Sequence, residues 1–256
     1  MNGNLSSTTD LTIDNDIITN DTSGLFGDDY PTLNLAKFSA NLPVVERLSL
    51  RNLPLPSELN LANYHKLQFL DLTGSSVNNV VFPQTGLFTE AILPSGLKTF
   101  EIYNNPRLSV VTFNGTENLE TIFIDAEKCN AFNVSKFCED LNSSSLTSVT
   151  IRNLHNVYLT EEALYKLLVS HCDLTGEITI VESFGSTTPK AISFKTKYDL
   201  VNKFGDINKG SNGLKINYQE EAIETSLTCN SEVNAFYDSK TGGTQTFANL
   251  YGLNIT

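Results

Sequence analysis

The stretch Lys66–Thr73 reads Lys-Leu-Gln-Phe-Leu-Asp-Leu-Thr, which places leucines at positions 67, 70 and 72. The spacing is L-x-x-L-x-L, and its last two leucines are separated by one residue. That separation is the period of a β-strand with one buried face. In such a strand Leu70 and Leu72 point inward, whereas Phe69 and Asp71 point outward. The pattern therefore predicts a short strand whose neighbours come from other copies of the same phrase.

The L-x-x-L-x-L motif recurs, with substitutions, along most of the chain. Eight apolar pairs mark candidate strands: Leu11/Ile13, Leu33/Leu35, Leu48/Leu50, Leu70/Leu72, Phe100/Ile102, Ile122/Ile124, Val149/Ile151 and Ile178/Ile180. The steps between them are 22, 15, 22, 30, 22, 27 and 29 residues. Such periods are typical of leucine-rich repeats, which bury their leucines by stacking into a parallel sheet. We expect an α/β fold: a leucine-rich repeat solenoid with a short-stranded parallel sheet and an irregular convex side, where insertions account for the uneven steps.

Two segments between the predicted strands have helical signals. In the segment Asn133–Leu141, Asn133 is a plausible N-cap, and Val134, Cys138 and Leu141 share one face. The segment Thr160–Val169 has the clearest pattern: a capping threonine, two acids in the first turn and a buried leucine stripe. We therefore expect helices on the convex side of the later repeats.

The repeat pattern divides the chain into four parts. Residues 1–44 form an N-terminal segment with candidate capping strands, and residues 45–180 form the repeats. Residues 181–218 are predicted to be an α+β C-terminal cap, with a helix that starts near Thr196 within Lys190–Phe204 and a strand at Leu214–Tyr218. Residues 219–256 are a polar tail or the start of a further module.

Charge and hydropathy limit the partners. The 256-residue chain has a formal charge of −12, so nucleic acid is not expected as a partner, because it requires clustered Lys and Arg. No apolar stretch approaches ~20 residues, so no membrane insertion is expected. The N-terminus lacks the features of a signal peptide. We expect an extracellular or cell-surface location if a signal peptide has been removed, and otherwise the virion or the cytoplasm of the host.

No pattern of catalytic or metal-ligating residues emerges. The histidines, at positions 65, 155 and 171, lie in different repeats, and no G-x-S-x-G, H-E-x-x-H or P-loop motif occurs. None of the four cysteines belongs to a C-x-x-C pair. Cys129 and Cys138 could form a disulfide in an exported protein, but the helical position of Cys138 favours a buried free thiol. We therefore expect no enzyme activity, no metal and no cofactor.

The outward positions of the predicted strands are the candidate ligand-binding residues. Because stacked strands lie ~4.8 Å apart, these positions would form one continuous patch. Its aromatic residues would act as anchors inside a charged rim, which is the composition of an interface. The alternative is that insertions or the cap cover the aromatic residues, or that they stack on one another. The predicted ligand-binding residues are Phe69, Asp71, Glu101, Tyr103, Phe123, Asp125, Arg51 and Arg152.

Residues 45–180, with the closing pattern Leu174–Ile180, Lys203–Ile207 and Leu214–Tyr218, resemble the irregular leucine-rich repeat proteins of gut Bacteroidetes and of the bacteriophages that infect them. The resemblance implies a surface or adhesive binding protein. The chain departs from the fuller consensus because only Asn105 occupies the asparagine position of the repeat. That departure puts a continuous asparagine ladder and a regular horseshoe curvature in doubt.

Two functions follow from these observations. The first is a non-enzymatic recognition protein that binds a protein or glycan through the concave face of the repeat sheet. The alternative is a bacteriophage virion or assembly protein that uses the repeats as a rigid scaffold. The sequence makes no prediction of the oligomeric state.

Overall fold

The computed structural model describes residues 7–14, 44–207 and 213–220. These residues form strands and three helices. The strands are β1 Asp10–Asp14, β2 Arg47–Arg51, β3 Glu58–Asn60, β4 Phe69–Asp71, β5 Asn79–Val81, β6 Glu90–Leu93, β7 Thr99–Ile102, β8 Val110–Phe113, β9 Thr121–Asp125, β10 Ser148–Leu159, β11 His171–Ile180, β12 Ala191–Ile192, β13 Leu214–Asn217 and β14 Gln219–Glu220. The helices are α1 Val134–Asp140, α2 Glu161–Leu167 and α3 Phe194–Phe204.

Most of the strands belong to two parallel sheets. One sheet has five strands in the order β1-β2-β4-β6-β8, and the other has seven in the order β13-β11-β10-β9-β7-β5-β3. Neighbouring strands run parallel throughout both sheets. β12 and β14 form a separate pair. The predicted α/β class with parallel strands is therefore confirmed.

From β2 to β9, consecutive strands enter the two sheets alternately. In the five-stranded sheet, Leu48, Leu70, Ala91 and Val111 occupy equivalent positions in β2, β4, β6 and β8. The steps between these positions are therefore 22, 21 and 20 residues. One such period contributes one strand to each sheet.

The prediction that the strands stack in one parallel sheet was wrong. The pairs at Leu48 and Leu70 lie in the five-stranded sheet, whereas the next predicted pair, at Phe100, lies in the seven-stranded sheet. The step of 30 residues from 70 to 100 is about one and a half of the observed periods. An extra half period carries the chain to the other sheet, so an insertion does not explain this step.

Sequence reasoning missed β3, β5, β6 and β8, and the last two have the same spacing with other apolar residues. β6 follows Phe88-x-x-Ala91-x-Leu93, and β8 follows Leu108-x-x-Val111-x-Phe113. Phenylalanine and alanine in β6, and valine and phenylalanine in β8, replace leucine and hid these two copies. A wider definition of the apolar positions would have found them.

The remaining strand predictions had mixed outcomes. The pair at Leu11 lies in β1 and the predicted strand at Leu214 is β13, so both are confirmed, whereas the Leu33 pair and most of residues 219–256 lie outside the described residues. Cys172 and Leu174 pair with the strand positions of Val149 and Ile151. Sequence reasoning had instead aligned the pair Ile178/Ile180 with Val149 and Ile151. That pair lies further along β11, the same long strand.

One hydrophobic core contains the inward residues of both sheets. Phe100 of β7 is fully buried, and its ring centroid lies 5.1 Å from that of Phe113 in β8. It also lies 5.7 Å from the centroid of Phe132 and 5.3 Å from that of Phe137 in α1. This aromatic cluster joins the two sheets to the first helix.

The helices begin at hydrogen-bonding N-caps. The Asn133 side chain accepts a hydrogen bond from the Lys136 N–H (2.9 Å), and the Thr160 hydroxyl accepts one from the Ala163 N–H (3.1 Å), as predicted. α3 begins earlier than the predicted Thr196, because Ser193 caps it by accepting the N–H of that threonine. None of the helices in the described ranges is long and apolar enough to cross a membrane.

The three described cysteines, Cys129, Cys138 and Cys172, are free. The first two are fully buried, and burial raises the pKa of Cys138 to about 12. The favoured prediction of a buried free thiol at this position is therefore confirmed. Cys229 lies outside the described residues.

Candidate functional site

Five of the eight predicted ligand-binding residues lie together on the outward face of the seven-stranded sheet. Glu101 of β7 is in register with Phe123 of β9, and Asp125 of β9 is in register with Arg152 of β10. Tyr103 follows the last residue of β7. We call these five residues the aromatic patch.

The centre of the aromatic patch is a pair of rings. The centroids of Tyr103 and Phe123 are 6.2 Å apart and their planes meet at 84°, the edge-to-face arrangement that aromatic pairs prefer. Tyr103 is 39% exposed, and its hydroxyl accepts a hydrogen bond from the Gln84 amide. Both alternatives from the sequence are thus partly met: the rings contact each other, yet the outer ring stays open to solvent.

Charged side chains surround the two rings. The Arg152 guanidinium carbon lies 5.7 Å from the Phe123 centroid, and its terminal nitrogen lies 3.4 Å from the Asp173 carboxylate. The Asn153 amide donates to the Asp125 carboxylate (3.0 Å). Asp173 and Asn153 were not predicted. Alignment of Cys172 with Val149 would have placed Asp173 beside Thr150, at an outward position of the sheet.

Phe69, Asp71 and Arg51 lie elsewhere, on the five-stranded sheet. Asp71 is 1% exposed and Phe69 is 8% exposed, so the prediction that both face solvent was wrong. The Arg47 guanidinium lies 4.0 Å from the Phe69 ring centroid, and the Arg51 guanidinium lies 2.6 Å from the Asp71 carboxylate. These arginines cover the outward side chains that the repeat would otherwise expose.

Asp71 is ionised and fully satisfied by its neighbours. Burial raises the pKa of its carboxyl, but hydrogen bonds from the side chain and backbone of Thr73 and the adjacent Arg51 outweigh burial, so the pKa falls below its usual value. The Thr73 hydroxyl and N–H lie 2.6 Å and 2.9 Å from one carboxylate oxygen, and Arg51 binds the other. Such a group stabilises the fold and has no free acceptor for a ligand.

A polar recess adjoins the aromatic patch. It is a cavity of about 650 Å³ between the turn after β9 and the middle of β10. Asn153 belongs to its wall and, through Asp125, connects it to the patch. The other polar side chains of the wall are Glu127, Asn130, Asn133, Ser135, His155 and Asn156. Sequence reasoning missed this recess, although the run Asn153–Asn156 was a signal of irregular backbone.

The recess exists because β10 is bulged. Its register with β11 shifts on both sides of Leu154, and Asn153 and Asn156 have φ values of 58° and 55°. Asparagine is one of the few non-glycine residues that adopts this left-handed conformation readily. Opposite the bulge, a Cβ on Gly176 would lie 2.3 Å from the Leu154 carbonyl oxygen. Only glycine fits there.

The combined surface offers an aromatic anchor, carboxylates, a guanidinium and amide groups that both donate and accept. These groups can hydrogen-bond hydroxyl-rich or peptide-like ligands while an exposed ring packs on an apolar face. Within the described ranges, no three His, Cys, Asp or Glu side chains are grouped to hold a metal ion. Comparison with family models, curated proteins and solved structures gives no match to this chain.

Proposed function

We propose that the chain is a non-enzymatic recognition protein that binds a protein or glycan through the aromatic patch and its adjoining recess. The observation that carries the proposal is the exposed Tyr103 ring, packed edge-on against Phe123 and surrounded by charged residues. Aromatic anchors inside a polar rim are typical of binding surfaces. The proposed binding face is thus the outward face of the seven-stranded sheet. It replaces the single continuous patch on one sheet that was expected from the sequence.

We further propose that the two sheets are the two sides of a leucine-rich repeat solenoid of the Bacteroidetes and bacteriophage type. The support is the strand alternation from β2 to β9 and the recurrence of the L-x-x-L-x-L spacing in both sheets. In a solenoid, each repeat contacts mainly its neighbours, so the stack presents a long rigid surface. Such a surface suits recognition of an extended or flat partner.

The experiment compares two tyrosines of equal exposure. Tyr103 and Tyr165 are each 39% exposed, but only Tyr103 belongs to the aromatic patch. A glycan array and a pull-down with the full chain should identify a partner whose binding is lost in Tyr103→Ala and retained in Tyr165→Ala. Both variants should melt close to the parent, because neither side chain is buried.

Two results would reject the proposed function. One is equal partner binding by the two tyrosine variants. The other is a large loss of stability in Tyr103→Ala, because that would make the ring a structural residue.

A further inference from the structure

Strand β8 is an edge of the five-stranded sheet, and no strand of the described residues pairs with its outer side. Among the described strands β8 pairs with β6 alone, and the N–H groups of Val110 and Asn114 bond to carbonyls on that side. Successive residues of a strand direct their N–H and C=O groups to opposite sides. Val111 and Phe113 therefore direct their N–H and C=O groups away from β6. No residue in the described ranges bonds to these groups.

A groove runs along this open edge. It is a cavity of about 540 Å³ between β8 and α1, and its wall includes Phe113 and the buried rings of Phe132 and Phe137. The groove arises because the chain forms α1 after β9, where a further strand of the five-stranded sheet would continue the alternation. The seven-stranded sheet continues to β10, so only the five-stranded sheet stops here.

The charged side chains at the groove are mostly neutralised. Lys136 forms an ion pair with Asp140. Glu117 is exposed and has no ion pair among the described residues, so it leaves one negative charge at the groove. The chain as a whole carries −12. The charge of the groove and of the chain therefore both favour a basic partner.

We propose that an extended, basic peptide segment of another protein adds to β8 as a sixth strand of this sheet. Its backbone pairs with the N–H and C=O groups of Val111 and Phe113, and an apolar side chain enters the groove against the phenylalanines. Strand addition at an exposed edge uses main-chain hydrogen bonds for affinity and pockets for alternate side chains. This surface is separate from the aromatic patch and does not depend on the function proposed for it.

The first test uses the full chain and a synthetic peptide, acetyl-Lys-Thr-Val-Thr-Val-Thr-Lys-amide. In the free protein the N–H groups of Val111 and Phe113 should exchange with solvent quickly, whereas the paired N–H of Thr112 should exchange slowly. Saturating peptide should slow exchange at Val111 and Phe113, measured by nuclear magnetic resonance. Saturable binding without protection at these two residues, or no binding at about 1 mM peptide, overturns the proposal.

A backbone scan of the peptide tests the pairing itself. N-methylation of either the valine or the threonine amides removes donors from one side of the added strand only. One alternate set should weaken binding at least about tenfold and the other should have little effect. Equal effects of the two sets would contradict a strand in the sheet.

A pair of charge reversals tests the rim. Glu117→Lys should weaken binding of the basic peptide about threefold, which is the change in affinity expected from one exposed charge pair. The same substitution should strengthen binding of a version of the peptide with glutamate at both ends. Glu58→Lys, at an exposed position of β3 in the other sheet, is the matched control and should change neither. Tyr103→Ala should also leave peptide binding intact, so this proposal can fail independently of the proposed function. A stable dimer that already protects Val111 and Phe113 would identify a second copy as the occupant and reject the peptide.

Discussion

The Arg51 guanidinium lies 2.6 Å from the Asp71 carboxylate, although that carboxylate is 1% exposed and the arginine side chain is 45% exposed. The pair spans adjacent strands of the five-stranded sheet, 20 residues apart in sequence. It converts an outward position of the repeat into a buried, hydrogen-bonded charge. Because a carboxylate without its partners would be costly to bury, this pair is a specific determinant of stability.

We expect Asp71→Asn to lower the free energy of unfolding by on the order of 2 kcal/mol at pH 7, because charged hydrogen bonds to Arg51 and Thr73 are lost. The pKa of Asp71 is depressed in the folded state, so its contribution is present at neutral pH and is lost as the pH falls below about 4. The difference between variant and parent should therefore shrink in acid. Chemical denaturation at several pH values measures it.

The control is Glu120→Gln. Glu120 forms an ion pair with Lys98 at a similar distance, 2.7 Å, but both side chains are about half exposed. Such pairs contribute little, about 0–1 kcal/mol. An equal cost for the two substitutions would show that the burial of Asp71 has no energetic consequence.

Gly176 should be intolerant of any side chain. Its φ is 104°, and an added Cβ would lie 2.3 Å from the Leu154 carbonyl oxygen and 2.4 Å from its nitrogen. We expect Gly176→Ala to destabilise the fold by about 3 kcal/mol or more, since backbone strain and a clash with backbone atoms add. Thermal and chemical unfolding measure the cost.

Two other glycines separate strain from the clash. Gly185 has a φ of 86° with nothing near its Cβ position, and Gly86 has free space and no positive φ. Gly185→Ala should cost about 1 kcal/mol, and Gly86→Ala should be neutral or slightly stabilising. The clash is not the cause if Gly176→Ala costs no more than Gly185→Ala.

Phe100 should be the most sensitive aromatic residue of the core. Its ring joins β7 to β8 and α1, so Phe100→Ala opens a cavity shared by both sheets, at a cost of about 3–5 kcal/mol. Phe184→Ala removes a ring that is 46% exposed and should change stability by about 0.5 kcal/mol or less. A loss below about 1 kcal/mol in Phe100→Ala would be incompatible with one core between the sheets.

The three cysteines of the described residues should react slowly in the folded protein. Burial raises the pKa of Cys129 and Cys172 to about 11 and that of Cys138 to about 12, so at pH 8 almost none is thiolate. Iodoacetamide labelling followed by peptide mapping should modify half-buried Cys172 first and the two buried thiols only after unfolding. Rapid labelling of Cys138 in the native protein would contradict its burial.

The local elements of this chain follow from local patterns. The strand at Leu70 and the caps at Asn133 and Thr160 were predicted because alternation and N-capping depend on neighbouring residues. The start of α3 was misplaced, since Ser193 and Thr196 are both capping residues. All five residues of the aromatic patch were predicted from sequence, and the register within one sheet brought Tyr103 and Phe123 together as expected.

What the sequence determined by itself is that leucine-rich phrases form short parallel strands, and which side chains of each strand face the core. Only the tertiary structure decided which sheet each strand joins. The reason is that the strands of both sheets have the same spacing of apolar residues. A step of one and a half periods therefore places Phe100 in the other sheet from Leu70, and no residue near Phe100 signals the change. The burial of Asp71 by Arg51, the recess beside Asn153 and the open edge at Val111 all depend on that choice, because each is made by residues 20 or more positions apart in the chain.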